Sequence, residues 1–427
     1  MRSVKNILSE ELKSMSTSAD QVVLRRIRTV SSLGVLLDGY NLTIIAVALI
    51  PLLVQYHLGS TSTSLLASVM LIGSIIGGLS AGVLADRWGR KTLLVTDLVV
   101  FIVFSLVSAL VTHYLWLIIA RLVVGLAVGA DYAISPTYLA EFSPRQTRGY
   151  QMGYMWLAWT VGAVVSYALG AGLVAWLPTA LSWRVLFAVG VIPALVGLMM
   201  RARLPESPYW LAHRQTVRPR RPKVKSGSAR TWALALLPWF FMDLATYGLG
   251  LLLPVLLKSN GFSSSSGAIL GTGLAALFGG LGSLWALFRL DRVGRMRLQI
   301  WGFLLGGVGL LLLAALIGSG VRLFLVLISG IMVVNFLYGV GPGLTAGIVP
   351  AEIFPTTWRA TGQGSATAFS RIGAVVGVFA LGYFEGHGGF PAVLVATGVV
   401  SFLGVLSTWL FRIEPNQKPL PDMADSA

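Results

Sequence analysis

Asp38, Asp131, Asp243 and Arg371 each stand inside a long apolar stretch of this 427-residue chain. A charge in the middle of a membrane-crossing helix costs about 2.5–3.5 kcal/mol on insertion scales, so an ionisable group there needs a function or a partner. A carboxylate in low dielectric holds its proton more tightly than in water, and can load and release it as its surroundings change. Asp38, Asp131 and Asp243 are therefore expected to carry protons. The competing use is structural: capping a broken helix, or pairing with Arg121 or Arg371.

Trp239, Asp243 and Tyr247 recur every four residues, which puts an indole, a carboxylate and a phenol on one helix face. Tyr132 follows Asp131 directly. Aromatic rows at this spacing usually serve packing, but a carboxylate inside the row favours a binding face. The planar guanidinium of Arg371 suits a carboxylate ligand, with Tyr40, Trp159, Trp239 and Tyr247 around it and Asn41 and Asn335 as further polar contacts. An ion pair with Asp243 is the other use of that arginine. There is no cysteine, the four histidines lack ligand spacing, and no nucleophile–base pair or phosphate loop is present. Neither an enzyme nor a metal or cofactor site is expected.

Composition places these residues. With 56% hydrophobic and 11% charged residues and a mean hydropathy of +0.79, the chain has too little polar surface for a soluble globule of its length. Apolar runs long enough to cross a bilayer fall near 29–54, 63–85, 92–111, 115–141, 149–175, 183–203, 231–257, 263–288, 298–318, 322–349, 361–383 and 390–411. The expected fold is all-α and integral to the membrane, with twelve helices. Putting the N-terminus inside leaves all but five of the 32 lysines and arginines on the inner side, so both termini are expected in the cytoplasm of a plasma-membrane protein. The net charge of +16 then reads as a topology signal and not as a nucleic-acid surface. The expected layout is a tail 1–28 without signal-peptide character, a six-helix half 29–203, a basic linker 204–230 containing Arg218 to Lys223, a second half 231–411, and a tail 412–427. The linker's basic run would set topology and could touch anionic lipid.

The two halves repeat. Asp38 and Asp243 are 205 residues apart, as are Asp86 and Asp291; Glu141 and Glu352 are 211 apart, as are Arg148 and Arg359. Parallel halves about an axis along the membrane normal, with a site between them, form one architecture of secondary transporters.

Gly82, Asp86, Arg87, Gly89, Arg90 and Lys91 form a charged turn between two apolar runs, with a worn copy at Asp291, Arg292, Gly294, Arg295 and Arg297. This G-x-x-x-D-R-x-G-R-[KR] spacing resembles the signature of the major facilitator superfamily. The resemblance implies that these charges, with Glu141, Arg148, Glu352 and Arg359, close the cytoplasmic side when the substrate site faces outward. Pro205-Glu206-Ser207-Pro208 and Pro350-Ala351-Glu352-Ile353-Phe354-Pro355-Thr356 resemble motifs of the sugar-porter, phosphate and organic-ion branches. Arg121, Gly125 and Gly129 match the fourth-helix R-x-x-x-G-x-x-x-G pattern. Arg121 and Asp131 lie about 15 Å apart along that helix, so Arg121 is expected to find its partner on a neighbouring helix, the first, through a groove made by the glycines.

The Trp239, Asp243 and Tyr247 face and the Asp131-Tyr132 pair resemble the phosphate:proton symporter branch, which implies substrate binding at Tyr132, Trp239, Asp243 and Tyr247, and proton transfer at Asp38 and Asp131. The chain departs from that branch: Asn41 replaces a second first-helix aspartate, Trp159 a glutamine, and Gly339 to Gly343 an asparagine-containing run. Ser370-Arg371-Ile372-Gly373 resembles the organic-ion branch. The expected function is proton-coupled symport of a small anion, phosphate or an organic carboxylate, by a monomer. A sugar or polyol porter, a facilitator, and a non-transporting sensor of the same fold are the alternatives.

Overall fold

The computed structural model describes residues 18–216, 228–259, 264–319 and 324–421. The start of the expected N-terminal tail, the run Arg218 to Lys223, and the last six residues lie outside the described residues. All regular elements among the described residues are helical: α1 Ser18–Tyr56, α2 Ser60–Trp88, α3 Arg90–Leu110, α4 Tyr114–Phe142, α5 Arg148–Trp176, α6 Thr179–Val189, α7 Val191–Arg201 and α8 Pro208–Thr216, then α9 Ala229–Ser259, α10 Ser265–Leu287, α11 Leu290–Val293, α12 Arg295–Gly318, α13 Phe324–Val340, α14 Pro342–Thr345, α15 Val349–Ile353 and α16 Arg359–Leu410.

Ten stretches among them are long and apolar enough to cross a membrane, and Leu325–Val340 is a shorter apolar one. With that helix and the first part of α16 they make twelve spans. Three boundaries differ from the sequence expectation. α1 begins at Ser18, so Arg25, Arg26 and Arg28 of the expected tail are helical. The loop expected between the last two spans is reduced to Gly389, whose φ of 65° breaks α16 where no bulkier residue would be comfortable. The tenth span stops at Gly341, where Pro342 follows and removes an amide donor, and continues as the short α14 and α15. Large side chains such as Trp176, Ile192, Leu312 and Trp409 lie exposed around the outside of the bundle, as a hydrocarbon surrounding requires and water would not favour.

The repeat is visible in local geometry. Gly89 and Gly294 both carry positive φ, 103° and 94°, and each amide caps the preceding helix. After each glycine a carboxylate receives the free amides of the next helix. Glu206 accepts from Arg90 N at 2.9 Å, and Glu414 from Arg295 N at 3.0 Å.

The glycines of α4 also form a groove, but a different helix fills it. A Cβ at Gly125 or Gly129 would stand 2.2 Å from a carbonyl oxygen of Met70 or Ser74 on α2. α2, and not α1, is the close neighbour.

Candidate functional site: a central cavity and a closed charged end

A cavity lies among α1, α4, α5, α9, α10, α13 and α16, with about 200 Å³ in which the centre of a water-sized sphere can be placed. It runs from Tyr132, Trp156 and Gly343 along α9 to Leu253, away from the end of the bundle that carries the charged turns. Most of its wall is apolar or aromatic. The rings of Tyr132 and Trp156 lie 5.2 Å apart edge to face, Trp156 and Trp239 5.7 Å, and Trp159 and Tyr247 6.4 Å, arrangements that rings prefer.

Arg371 and Asp243 enter this wall as a pair. Arg371 Nη1 donates to Asp243 Oδ2 at 2.5 Å, both residues are fully buried, and the guanidinium carbon lies 4.5 Å from the Tyr132 ring centroid and 4.9 Å from that of Tyr247. The two charged residues sit on α16 and α9, both in the second half, so the pair does not bridge the halves. Its valences are not exhausted. Arg371 Nε and Nη2, Asp243 Oδ1, Trp156 Nε1 and Trp159 Nε1 are buried without hydrogen-bond partners. Buried polar groups are rarely left so, and here donors outnumber acceptors around an empty volume.

Other expected site residues are distributed unevenly. Tyr132, Trp159, Trp239, Asp243, Tyr247, Asn335 and Arg371 line the cavity, although the Asn335 amide is spent on Ile331 O at 2.9 Å. Tyr40 and Asn41 are not in its lining. Tyr40 Oη donates to Leu186 O at 2.7 Å, and Asn41 Nδ2 to Leu37 O at 3.2 Å. Asn41 is also the partner of Arg121: Nη2 donates to Asn41 O at 3.0 Å and Nη1 to Oδ1 at 3.4 Å, while Arg121 covers the Phe187 ring. The first helix is thus the source of that partner, and the carbonyl and amide of one residue supply it. Trp156 was not singled out from the sequence, where it is one of thirteen tryptophans.

At the charged end the halves are tied together. Asp86 Oδ2 accepts from Thr361 N at 2.9 Å and from Thr361 Oγ1 at 2.7 Å, at the N-terminus of α16. Asp291 accepts from Gly149 N at 3.0 Å and Tyr150 N at 2.8 Å, at the N-terminus of α5. Each half thereby places a carboxylate on the positive end of a helix of the other. Gly82 lies so close to Ala360 that a Cβ would stand 2.5 Å from its carbonyl oxygen. Glu141 joins Arg90 at 3.2 Å and Arg359 at 3.1 Å and accepts from Ser207 Oγ; Glu352 joins Arg295 at 2.9 Å.

Two details correct the motif reading. The arginines that pair are Arg90 and Arg295; Arg87 and Arg292 are exposed and make no ion pair among the described residues. Arg148, the counterpart of Arg359, bonds backbone oxygens of Ser143 and Lys418 and not Glu352. The segment after α16 completes the closure: Asn416 Oδ1 accepts from Arg295 at 2.7 Å, and the Lys418 and Pro421 carbonyls accept from Arg148 and Arg359.

A further buried cluster lies inside the first half. Asp131 Oδ1 accepts from Arg201 Nη2 at 2.7 Å and from Ser135 Oγ at 2.6 Å, while Arg201 Nη1 donates to both oxygens of Asp97 at 3.0 Å. Asp38 faces this group from α1. Asp97 and Arg201 were missed as site residues. Arg201 reads as one of many basic residues leading into the linker, and Asp97 stands only a few residues into its span.

Among known proteins, the family model described as "Sugar (and other) transporter" matches residues 27–233 and 228–425. The inner membrane metabolite transport protein YgcS of Escherichia coli (strain K12) is 30% identical over 421 residues, covering 90% of this chain and 90% of that protein. The cis,cis-muconate transport protein of Acinetobacter baylyi is 27% identical over 403 residues, covering 91% and 94%. Among solved structures, the major facilitator superfamily proton:xylose symporter XylE bound to 6-bromo-6-deoxy-D-glucose superposes with a TM-score of 0.83 at 22% identity, over 95% of this chain and 99% of that one. With twelve helical spans, the paired charged turns and this match along both halves, the chain has the fold of that major facilitator superfamily structure and belongs to the sugar (and other) transporter family.

Proposed function

We propose that this transporter is a proton-coupled symporter of a small organic carboxylate with a flat apolar body. The observation that carries the reading is Arg371. It spends one nitrogen on Asp243 and leaves Nε and Nη2 buried and unpartnered beside the cavity. Two N–H groups on one face of a guanidinium fit the two oxygens of a carboxylate. Tyr132, Trp156, Trp239 and Tyr247 supply aromatic surface for the rest of such a molecule. The similarity to a cis,cis-muconate transport protein supports the same ligand class. Phosphate fits less well, because Gly339 and Gly343 line the cavity where that branch has polar side chains. A sugar is the second reading, favoured by the unpartnered indole N–H groups of Trp156 and Trp159.

In this account the charged end faces the cytoplasm, both termini lie there, and the protein sits in the plasma membrane. The cross-half contacts of Asp86, Glu141 and Asp291 hold that side shut while the cavity extends the other way, so the conformation is outward-facing. Alternating access requires those contacts to break. The substrate would engage Arg371, and Tyr132, whose ring covers Arg371 and whose neighbour is Asp131, would connect substrate binding with the carboxylates that carry the proton.

Thermal-shift titration of the purified protein tests the ligand class. cis,cis-Muconate and benzoate are expected to stabilise the wild type, with phosphate and xylose silent, and Arg371→Gln is expected to abolish the shift. Stabilisation by xylose alone, retained in Arg371→Gln, would favour the sugar reading.

A further inference from the structure

The cluster of Asp38, Asp97, Asp131 and Arg201 holds three carboxyl groups and one guanidinium, all at least nine-tenths buried. Its hydrogen bonds are lopsided. Asp131 Oδ1 receives two donors, Arg201 Nη2 and Ser135 Oγ, whereas Asp131 Oδ2 receives none. Asp38 Oδ2 is likewise without a donor. Asp131 Oδ2 lies against the face of α1 that carries Asp38: a Cβ at Gly34, one turn before Asp38, would stand 2.5 Å from it. Two buried carboxylates turned towards one another with no donor between them repel, and a proton on one of them relieves the repulsion.

The surroundings keep the arrangement in place. Arg201 Nη1 is fully used: it donates to both oxygens of Asp97 at 3.0 Å and to Leu94 O at 2.9 Å. Only Nη2 remains for Asp131, and it goes to Oδ1. Gly34, one turn before Asp38 on α1, leaves the space, since a Cβ there would lie 1.9 Å from Arg201 Nη2 and 2.5 Å from Asp131 Oδ2. The charged groups facing Asp38 are Asp131 from α4, Arg201 from α7 and Asp97 from α3. Tyr132, next to Asp131 on α4, has its ring 4.5 Å from the guanidinium carbon of Arg371.

Resting on the proton-coupled reading above, we propose that Asp38 and Asp131 share a single proton, the coupled one, and that Asp97 and Arg201 are positioning residues for it. Asp97 fixes Arg201 so that the guanidinium meets Asp131 through Oδ1 alone, leaving Oδ2 turned to Asp38. The proton is held between the first and fourth helices by two carboxyl groups, and no bond to substrate is involved. Its release leaves two like charges opposed in a buried site, which drives the first helix away from the fourth unless a proton returns. The two positioning residues act with opposite sign. Asp97 adds negative charge and favours the proton, and Arg201 adds positive charge and opposes it.

An infrared pH titration of the purified full-length protein, with no substrate present, reads the proton directly. The wild type is expected to show a protonated-carboxyl band at pH 7, absent in both Asp38→Asn and Asp131→Asn, because either member is needed for the sharing. In Asp97→Asn the band should titrate about one unit lower, a tenfold higher proton concentration, and in Arg201→Gln about one unit higher. A role confined to packing would not move the two midpoints in opposite directions. A band that persists in Asp38→Asn, or midpoints in Asp97→Asn and Arg201→Gln that coincide with the wild type, would overturn the proposal. So would a wild-type spectrum without a protonated carboxyl at pH 7, whatever the variants do. Failure of the proton-coupled reading shows elsewhere, as uptake indifferent to a proton gradient.

Discussion

Glu141 and Arg359 meet at 3.1 Å in the buried charged end, although 218 residues separate them and they belong to opposite halves of the chain. Glu141 also binds Arg90 and Ser207, so one carboxylate joins α3, α8's leading segment and α16. In the proposed alternating-access cycle this contact breaks and reforms, and it gives the first prediction.

Glu141→Gln keeps the shape and removes the charge. Losing one partner of a buried pair costs about 3–5 kcal/mol, and only the closed state bears that cost. Because the chain contains no cysteine, a single Ser365→Cys serves as a unique reporter, at a half-buried position one helical turn beyond Thr361, which meets Asp86 across the halves. Its alkylation rate is expected to rise at least about tenfold with Glu141→Gln, the equivalent of ~1.4 kcal/mol in the opening equilibrium. An unchanged rate would remove Glu141 from the closure.

Asp86 and Asp291 act on helix ends, each a contribution of roughly 0.3–2 kcal/mol. Asp86→Asn and Asp291→Asn should each raise Ser365→Cys labelling less than Glu141→Gln does, and by similar amounts, since the two contacts are repeats of one another. A large effect from one and none from the other would show that the halves do not share the load.

Ending the chain after Phe411 removes Glu414 from the α12 amides and the Asn416, Lys418 and Pro421 acceptors from Arg295, Arg148 and Arg359. The truncated protein is expected to favour the open charged end, with faster Ser365→Cys labelling than the full chain. Identical labelling would mean that the segment lies on the closure without contributing to it.

Gly129→Ala places a Cβ 2.2 Å from the Ser74 carbonyl oxygen, whereas Gly172→Ala meets nothing within 4 Å. Overpacking of this kind costs about 1–3 kcal/mol or more. Gly129→Ala should lower the thermal unfolding midpoint by several degrees and Gly172→Ala should not. Equal midpoints would contradict the close approach of α2 and α4.

The fold was legible because its signals are local and repeated: apolar runs, charged turns and landmarks at two fixed offsets. The cavity was legible in part, since Trp239, Asp243 and Tyr247 share a face by spacing alone. Residues that depend on helix neighbours were not. Tyr40 and Asn41 immediately precede Leu42 and Thr43, which line the cavity, and only the positions of α4 and α6 show that Arg121 and Leu186 claim them. Arg201 looks like a loop cation because nothing in its neighbourhood of sequence shows that Asp97 and Asp131, 104 and 70 residues earlier, converge on it. Likewise, Arg87 and Arg90 are equally basic in sequence, and only the turn at Gly89 directs Arg90 inward.

The most direct test of the central claim is uptake of labelled cis,cis-muconate and benzoate into proteoliposomes, with and without an imposed inward proton gradient, in the wild type, Asp38→Asn and Arg371→Gln. The account predicts accumulation only with the gradient, its loss in Asp38→Asn, and loss of uptake under either condition in Arg371→Gln. Uptake that is equal without the gradient and survives both substitutions would contradict it.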